Sequence, residues 1–156
     1  MTTYRDSQLI PVERERVFDL VADVESYPQF LSLWKDARVY ERPSESTYFT
    51  EQEIGLGPLN ERFRTKTVMK RPDTIEVSSH DGLFRAFRIV WTFTDVGVGG
   101  RPSCRADIAL TWQVRSWLMQ RAIDVVLPET ARSMVQAFAR RARRVRPEGA
   151  IRQPLK

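Results

Sequence analysis

The 156-residue chain contains a single cysteine, Cys104, and a single histidine, His80. One thiol cannot form an intramolecular disulfide, and it cannot supply the ligands of a cysteine-based zinc site. One imidazole excludes a paired-histidine metal site and leaves few routes to nucleophilic catalysis assisted by histidine. We therefore expect a protein that holds no metal and folds without covalent cross-links.

Long apolar stretches are absent as well. No run of apolar residues approaches the ~20 residues that a membrane-spanning helix needs. The first residues mix acidic and basic side chains without a following apolar core, so they do not resemble a secretory signal or a transit peptide. The sequence thus favours a soluble, cytoplasmic protein, with peripheral association to the inner membrane as an open alternative.

Positive charge is concentrated at one end of the chain. The net charge is +5, yet residues 140–156 carry seven basic side chains and one acidic, whereas the other 139 residues carry a net charge of −1. The basic character therefore belongs to the C-terminal segment and does not indicate a DNA-binding domain. We expect one domain over residues 1–146 and a basic, disordered tail over residues 147–156.

The spacing of apolar residues predicts helices at both ends of a series of strands. Helical spacing covers residues 13–22, and Pro28 suits the first turn of a short second helix that carries Phe30, Leu31, Leu33 and Trp34. Alternation predicts strands over residues 4–12, 37–42, 47–55, 59–70, 74–79, 87–94 and 104–115. Helical spacing returns at Trp117, where Pro128 predicts either a kink or a short helix followed by a longer one.

This order of elements predicts an α+β fold. Sequential strands joined by tight turns form an antiparallel sheet, and the final helix is large enough to cover its inner face. We therefore predict a helix-grip fold, in which a curved antiparallel sheet of about six to seven strands wraps around a long C-terminal helix. Such a sheet leaves a gap under the helix that suits a small ligand.

The predicted inner face of the sheet combines large apolar side chains with small polar ones. The polar set consists of Tyr48, Thr50, Gln52, Thr65, Thr67 and Ser79. An unbonded buried polar group costs about 1–3 kcal/mol, so a dry core would rarely hold so many. These groups either line a cavity or end at a solvated rim, and we favour the cavity.

The titratable residues of the chain do not form a catalytic set. Glu61 is predicted to face inward, where we expect it to pair with an arginine of the final helix or with a backbone amide. His80 falls in a turn beside Asp81, without a nucleophile to activate. Cys104 falls on an apolar strand face and is expected to be a buried thiol. No catalytic residue is therefore predicted.

Several segments, by their order and spacing, carry a likeness to a known family. They are FDLVADV at 18–24 with YPQFL at 27–31, IGL at 54–56 with ERF at 61–63, GLF at 82–84 with WTF at 91–93, and MVQAFARR at 134–141. The chain resembles the coenzyme Q-binding START-domain family over residues 4–145. Bacterial members of that family include ribosome-association toxins and proteins labelled polyketide cyclase-like.

The resemblance implies a START-like fold with a hydrophobic tunnel. The tunnel would bind ubiquinone, another polyprenyl quinone or a similar lipid, as a carrier or chaperone that supports respiratory electron transport without turning the ligand over. Ubiquinone would then be a bound ligand, and no redox cofactor is expected. The predicted tunnel residues are Phe30, Leu31, Trp34, Tyr48, Thr50, Phe63, Thr67, Met69, Phe87, Trp91, Trp112, Met134 and Phe138, with Glu61 and Gln52 as polar groups.

Two other functions stay open. The toxin branch of the resembled family implies binding to ribosomal subunits through the basic C-terminus, with Arg140, Arg141, Arg143, Arg144 and Arg146 as the contacts. The same arginines equally suit anionic lipid, or they stabilise the helix C-terminus in solvent. The cyclase-like branch implies an enzyme, a polyketide cyclase or dehydratase, for which Glu61 is the acid–base candidate.

Overall fold

The computed structural model describes residues 1–56 and 59–144. The elements follow in the order β1 (Thr2–Ile10), α1 (Arg14–Ala22), a 3-10 helix (Val24–Gln29), β2 (Trp34–Ser44), β3 (Thr47–Leu56), β4 (Leu59–Lys70), β5 (Thr74–Ser79), β6 (Phe84–Asp95), β7 (Cys104–Val114) and α2 (Trp117–Arg144). This is the order that the apolar spacing predicts. Residues 57–58 and 145–156, which include Arg146 and the predicted tail over residues 147–156, lie outside the described residues.

The strands form one antiparallel sheet of seven strands, in the order β1-β7-β6-β5-β4-β3-β2. Strands β2 to β7 follow one another as a meander, and β1 returns to pair with β7 from Thr2–Trp112 to Ile10–Cys104. On the concave face, α2 packs mainly against β1, β7 and α1. The prediction of an α+β helix-grip fold is therefore confirmed.

Strand β7 shows how the sequence pattern produces the sheet. Buried and half-buried residues alternate along most of the strand, and Cys104, Ile108 and Trp112 are among the buried ones. Because successive side chains of a strand point to opposite faces, this alternation sets one face against the helices and leaves the other toward solvent. Each large apolar side chain buried in this way contributes about 1.5–3 kcal/mol.

The core divides into two main clusters beneath α2. One surrounds Trp91 and Phe138, whose rings meet edge-on with centroids 5.5 Å apart. The other surrounds Phe63 and Trp112. The first half of α2 contributes Ile123, Leu127 and Ala131 to the second cluster, and its later residues join the first. The helix thus ties the two clusters together along the sheet.

The segment after α1 differs from the prediction. Pro28 lies in the last turn of the 3-10 helix and not in the first turn of a new α-helix. Trp34 then opens β2, before the predicted start of that strand. The cause is local: the amide of Leu31 donates to the carbonyl of Tyr27 at 2.8 Å, and the amide of Trp34 donates to the carbonyl of Leu31 at 2.9 Å. These turns lead the chain into the sheet before a second helix forms.

The final helix also differs from one of the two predicted alternatives. Pro128 lies inside α2, which runs without interruption for 28 residues, so the alternative of two separate helices is wrong. A proline removes one backbone hydrogen bond from a helix interior. Leu127 and Ala131, on either side of Pro128, are buried in the same cluster. We attribute the continuity of the helix to this packing, which spans the lost bond.

Strand β6 begins earlier than predicted because its alternation changes phase. A register irregularity separates Phe84 from Ala86, which is typical of a β-bulge. Phe84 is buried and Phe87 lines the cavity described below, so both rings face inward although an odd number of positions separates them. A strict period of two therefore misses the first residues of the strand.

Candidate ligand-binding cavity

A cavity of about 40 Å³ lies between the concave face of the sheet, the 3-10 helix and α2. Its wall is mainly aromatic and aliphatic, with a few polar side chains, and consists of Val21, Val24, Tyr27, Trp34, Tyr48, Gln52, Phe63, Thr65, Thr67, Ile75, Val77, Phe87, Ile89, Trp91, Met134 and Phe138. By this measure a cavity needs about 10–15 Å³ to hold one water molecule. In this conformation the space therefore holds only a few water molecules.

Nine of the predicted tunnel residues form part of this wall. They are Trp34, Tyr48, Gln52, Phe63, Thr67, Phe87, Trp91, Met134 and Phe138. The strand residues among them belong to β2, β3, β4 and β6, and their side chains converge because alternation places them on one face. Their role in holding a ligand stays a prediction, whereas their position around one enclosed space is a property of the fold.

The other predicted residues lie elsewhere. Phe30 and Leu31 line a separate groove on the surface, and Met69 borders a different surface depression beside α1. Trp112 is fully buried in the core, where its indole N–H donates to Asp124 at 2.8 Å. Thr50 stands behind the wall and reaches it through hydrogen bonds. A side chain on the inner face of the sheet therefore does not always border the cavity.

A buried hydrogen-bond network forms one corner of the cavity. The indole N–H of Trp34 donates to Oε1 of Gln52 at 2.8 Å, and Nε2 of Gln52 donates to the hydroxyl of Thr50 at 2.9 Å. The hydroxyls of Thr50 and Thr65 lie 2.6 Å apart. Because all of these except Trp34 are buried, the alternative of a solvated rim is wrong for them. We call Trp34, Gln52, Thr50 and Thr65 the polar corner.

One hydroxyl hydrogen of the polar corner has no acceptor among the described residues. Two threonine hydroxyls supply two hydrogens, but the contact between Thr50 and Thr65 uses only one of them. Among the described residues, neither hydroxyl donates to any other acceptor. Thr65 borders the cavity and Thr50 does not. When Thr50 donates to Thr65, the hydroxyl of Thr65 can donate to an acceptor inside the cavity.

Two tyrosines attach the cavity wall to α1. The hydroxyl of Tyr48 donates to the carbonyl of Ala22 at 2.7 Å, and the hydroxyl of Tyr27 donates to the carbonyl of Val21. Burial raises the pKa of Tyr48 to about 12 and raises the pKa of Tyr27 well above its ordinary value. Both phenols are therefore neutral at neutral pH. The wall defined above carries no carboxylate, imidazole, thiol or amine.

Glu61 does not occupy the position that the sequence suggests. It is half-exposed near the start of β4, opposite Ile54, and its Oε2 lies 3.9 Å from where a Cβ on Gly82 would be. Among the residues in 1–56 and 59–144, it forms neither an ion pair with α2 nor a hydrogen bond with a backbone amide. The predicted pairing is therefore wrong, and Glu61 lies outside the cavity wall.

The lone histidine and the lone cysteine lie where the sequence predicts. His80 is an exposed residue between β5 and β6, with Nδ1 3.4 Å from the carbonyl of Arg85. Cys104 is buried at the start of β7, and burial raises the pKa of its thiol to about 11. Within the described part of the chain, no group of three histidine, cysteine or acidic residues is placed to bind a metal ion.

A groove of about 110 Å³ adjoins the cavity on its α2 side. Trp34 and Met134 border both spaces, so these two side chains separate the cavity from the groove. Phe30, on the loop before β2, and Arg140, near the end of α2, border the groove as well. We call the Trp34–Met134 boundary the mouth of the cavity.

The predicted arginines are not equivalent. Arg140, Arg143 and Arg144 are exposed. Arg141 is half-buried: it donates to Oε1 of Gln29 at 3.1 Å, and its guanidinium lies 5.2 Å from the ring centroid of Phe30. A cation over an aromatic face at this distance is attractive. Arg141 therefore links α2 to the 3-10 helix, and its predicted contact with a partner stays a prediction.

Some wall residues were not predicted from the sequence. Val21, Val24 and Tyr27 reach the cavity from α1 and the 3-10 helix, and Ile75 and Val77 reach it from β5. Alternation within β5 indicates which of its side chains face inward. The residues of α1 and the 3-10 helix reach the cavity from the layer that packs on the sheet. The spacing of apolar residues along a helix does not predict which part of the sheet that helix contacts.

A seven-stranded antiparallel sheet that curves around one C-terminal helix and encloses a cavity defines a START-like helix-grip domain. The family model described as "Polyketide cyclase / dehydrase and lipid transport" matches residues 10–139. The chain belongs to this family.

Curated relatives bear two kinds of name. The ribosome association toxin RatA of Pseudomonas aeruginosa is 31% identical over 144 residues, which cover 92% of this chain and 97% of that protein. The mitochondrial coenzyme Q-binding protein COQ10 homolog B of Xenopus laevis is 28% identical over 144 residues, which cover 91% of this chain and 58% of that protein. Similarity in sequence thus extends to both branches that the resemblance implied.

Solved structures support the fold. The Zhui aromatase/cyclase from Streptomyces sp. R1128 superposes with a TM-score of 0.83 at 11% identity, covering 95% of this chain and 98% of that one. A START superfamily protein from Mycobacterium smegmatis superposes with a TM-score of 0.79 at 16% identity, covering 91% and 97%. At these identities the likeness shows a shared architecture and nothing about the ligand.

Proposed function

We propose that the cavity binds an apolar ring that carries a carbonyl oxygen, and that the ligand is ubiquinone or a related polyprenyl quinone. The protein then acts as a non-catalytic carrier or chaperone that serves respiratory electron transport. One observation carries this proposal: an aromatic wall closes on a buried polar corner, where the hydroxyl of Thr65 has a hydrogen to donate.

The chemistry of a quinone suits this wall. Its flat ring packs well against aromatic side chains such as Trp91 and Phe138, which border the cavity. Its carbonyl oxygens accept hydrogen bonds and donate none, and Thr65 offers a neutral donor. The name of the Xenopus relative, a coenzyme Q-binding protein, supports the same ligand class.

The cavity must enlarge before a quinone ring enters, because ligand pockets commonly measure about 300–1,000 Å³. The mouth is the part best suited to move. Met134 has an unbranched, flexible side chain, and its displacement together with that of the Trp34 ring would join the cavity to the groove of about 110 Å³. In this arrangement the ring reaches the polar corner, and the isoprenoid tail lies in the groove toward Arg140.

The wall supports binding without turnover. General acid–base catalysis needs a group whose pKa lies near the working pH, and the phenols of Tyr27 and Tyr48 have raised pKa values. Glu61, the one acid–base candidate from the sequence, lies outside the wall. The polyketide cyclase alternative therefore lacks its proposed acid.

A filled cavity tests the proposal. Val77 borders the cavity from β5, and Val68 is exposed on β4, so Val77→Phe and Val68→Phe make the same change in two environments. Quenching of tryptophan fluorescence by a short-tail ubiquinone should saturate for the unmodified protein and for Val68→Phe, and should vanish for Val77→Phe. Thermal melting verifies that both variants fold. Unchanged binding by Val77→Phe, or no binding by the unmodified protein, would reject the proposal.

A second candidate function is association with ribosomes. It is favoured by the exposed Arg140, Arg143 and Arg144 on α2, since clustered cations bind RNA phosphates, and by the name of the Pseudomonas relative. Replacing these three arginines with glutamine should abolish co-sedimentation with ribosomal particles at low salt. The matched control is Arg132→Gln with Arg121→Gln, which removes exposed arginines from the earlier part of the helix. Equal co-sedimentation of both variants and the unmodified protein would exclude this site.

A further inference from the structure

The outward face of the first half of α2 is apolar. Trp117, Leu118 and Val125 are 73%, 66% and 77% exposed. Leu118 and Val125 stand seven residues apart and so lie on one line along the helix, with Ala122 beside them and Trp117 toward the helix start. Tryptophan is highly buried on average, and a cluster of exposed apolar side chains marks an interaction surface.

The same face becomes basic in the second half of the helix. The exposed charges of the second half are Arg132, Arg140, Arg143 and Arg144, whereas the first half holds one exposed arginine, Arg121, and one exposed acidic residue, Glu129. Asp124, the other acidic residue of α2, points inward and accepts hydrogen bonds from Thr2, Trp112 and Gln120. The outward face of α2 therefore combines an apolar half with a cationic half.

We propose that the outward face of α2 docks on an anionic phospholipid membrane. Trp117, Leu118 and Val125 enter the region between headgroups and acyl chains, and the arginines of the second half contact lipid phosphates. Among the described residues, no helix is both long enough and apolar enough to cross a bilayer. The contact is thus peripheral, with the helix lying along the surface.

Other occupants match only part of this face. RNA would satisfy the arginines but would leave Leu118 and Val125 without an apolar partner. A second copy that paired along the whole helix would bring arginines against arginines, or against the apolar half. A membrane surface offers acyl chains and phosphates side by side, which is the order that α2 presents along its axis.

The docking surface has a consequence for the cavity. Ser133, Met134 and Arg140 of α2 border the groove that leads to the mouth. Docking through α2 therefore brings the groove close to the lipid. The docking does not depend on what the cavity binds, but its use for collecting a ligand from the bilayer rests on the proposed function.

Flotation with quinone-free vesicles tests the docking. The unmodified protein should float with vesicles of phosphatidylcholine and phosphatidylglycerol in about a 7:3 ratio, and should not float with phosphatidylcholine alone. The double variant Leu118→Glu with Val125→Glu should bind at least about tenfold more weakly, because a carboxylate resists insertion among acyl chains and anionic headgroups. The control is Val98→Glu, which adds a carboxylate at a residue that is 80% exposed in the β6–β7 loop and should bind normally.

Each alternative has a distinct readout. Absence of flotation by the unmodified protein, or normal flotation by the Leu118/Val125 variant, overturns the proposal. A dimer in analytical ultracentrifugation that this variant dissociates, without any vesicle binding, assigns the face to a second copy instead. If poly(U) releases the unmodified protein from vesicles, and the Leu118/Val125 variant binds poly(U) equally well, the outward face of α2 is assigned to RNA instead. Val77→Phe should still float, so failure of quinone binding and failure of docking are separate results.

Discussion

The indole N–H of Trp34 donates to the side-chain carbonyl of Gln52 over 2.8 Å, and this bond connects the mouth of the cavity with its polar corner. Trp34 borders both the cavity and the groove. Movement of its ring away from the mouth breaks the bond and leaves the Gln52 carbonyl without a donor. Opening the cavity and rearranging the polar corner are therefore one event, and a ligand must offset the cost of both.

Trp34→Phe separates the two roles of this residue, since it keeps a ring at the mouth but removes the donor. A buried acceptor left unsatisfied costs about 1–3 kcal/mol, so we expect the free energy of unfolding to fall by about 1–2 kcal/mol. Binding of short-tail ubiquinone should become faster, because opening no longer breaks a hydrogen bond. Urea unfolding and stopped-flow quenching, with Trp91 as reporter, measure the two effects.

The control for this change is Trp117→Phe. Trp117 is exposed and does not border the cavity, so the free energy of unfolding should change by no more than about 0.5 kcal/mol. An equal loss of stability in the two variants would show that the bond to Gln52 contributes nothing specific.

Thr65→Val tests whether the hydroxyl of Thr65 donates its hydrogen to the ligand. Valine has nearly the shape of threonine without the hydroxyl, so the dissociation constant of short-tail ubiquinone should rise about five- to tenfold, as expected for one lost hydrogen bond. An alkylbenzene with the same tail has no carbonyl and should bind both proteins alike. Thr92→Val, an exposed change on β6, is the matched variant. Equal weakening of both ligands would indicate altered packing and contradict the assigned donor.

The fold and much of the cavity wall were predictable because both follow from local periodicity. Alternation in β4 places Phe63, Thr65 and Thr67 on one face, and all three border the cavity. Periodicity predicts on which face of the sheet a side chain lies, but not whether that side chain lies where the sheet and α2 leave a cavity. Met69 faces the same side of β4, yet it lies at the end of the strand, where the 3-10 helix and α1 cover it. Trp112 faces inward on β7, where α2 packs directly and leaves no space.

The errors at Pro28 and Glu61 have a different origin. Pro28 suits the first turn of a helix by its own geometry, but tertiary packing of Tyr27 against Trp34 and Phe138 places the proline at the end of a 3-10 turn. Glu61 has the correct phase to face inward, but it lies near the start of β4 beside Gly82, away from α2. Both positions depend on contacts between distant segments, which no local pattern contains.

Alkaline pH should destabilise the protein through its buried phenols and thiol. Burial raises the pKa of Cys104 from 9.0 to about 11 and that of Tyr48 from 10.0 to about 12. The folded state therefore binds more protons than the unfolded state above pH ~9, and stability that is fully present below that pH is lost as the pH rises toward 12. Urea midpoints measured from pH 8 to 11 should fall. Tyr48→Phe should reduce the slope, and an unchanged slope in this variant would contradict the assigned role of the buried phenol.

Arg141 and Arg140 are neighbours in sequence with opposite expected roles. Arg141→Ala removes the hydrogen bond to Gln29 and the cation over Phe30, so the free energy of unfolding should fall by about 1 kcal/mol. Arg140→Ala removes an exposed side chain and should change it by no more than about 0.5 kcal/mol. Binding to anionic vesicles should show the reverse order, because only Arg140 is directed outward. If Arg141→Ala weakened vesicle binding more than Arg140→Ala at equal stability, the arginines near the end of α2 would be acting through the 3-10 helix and not through the outward face.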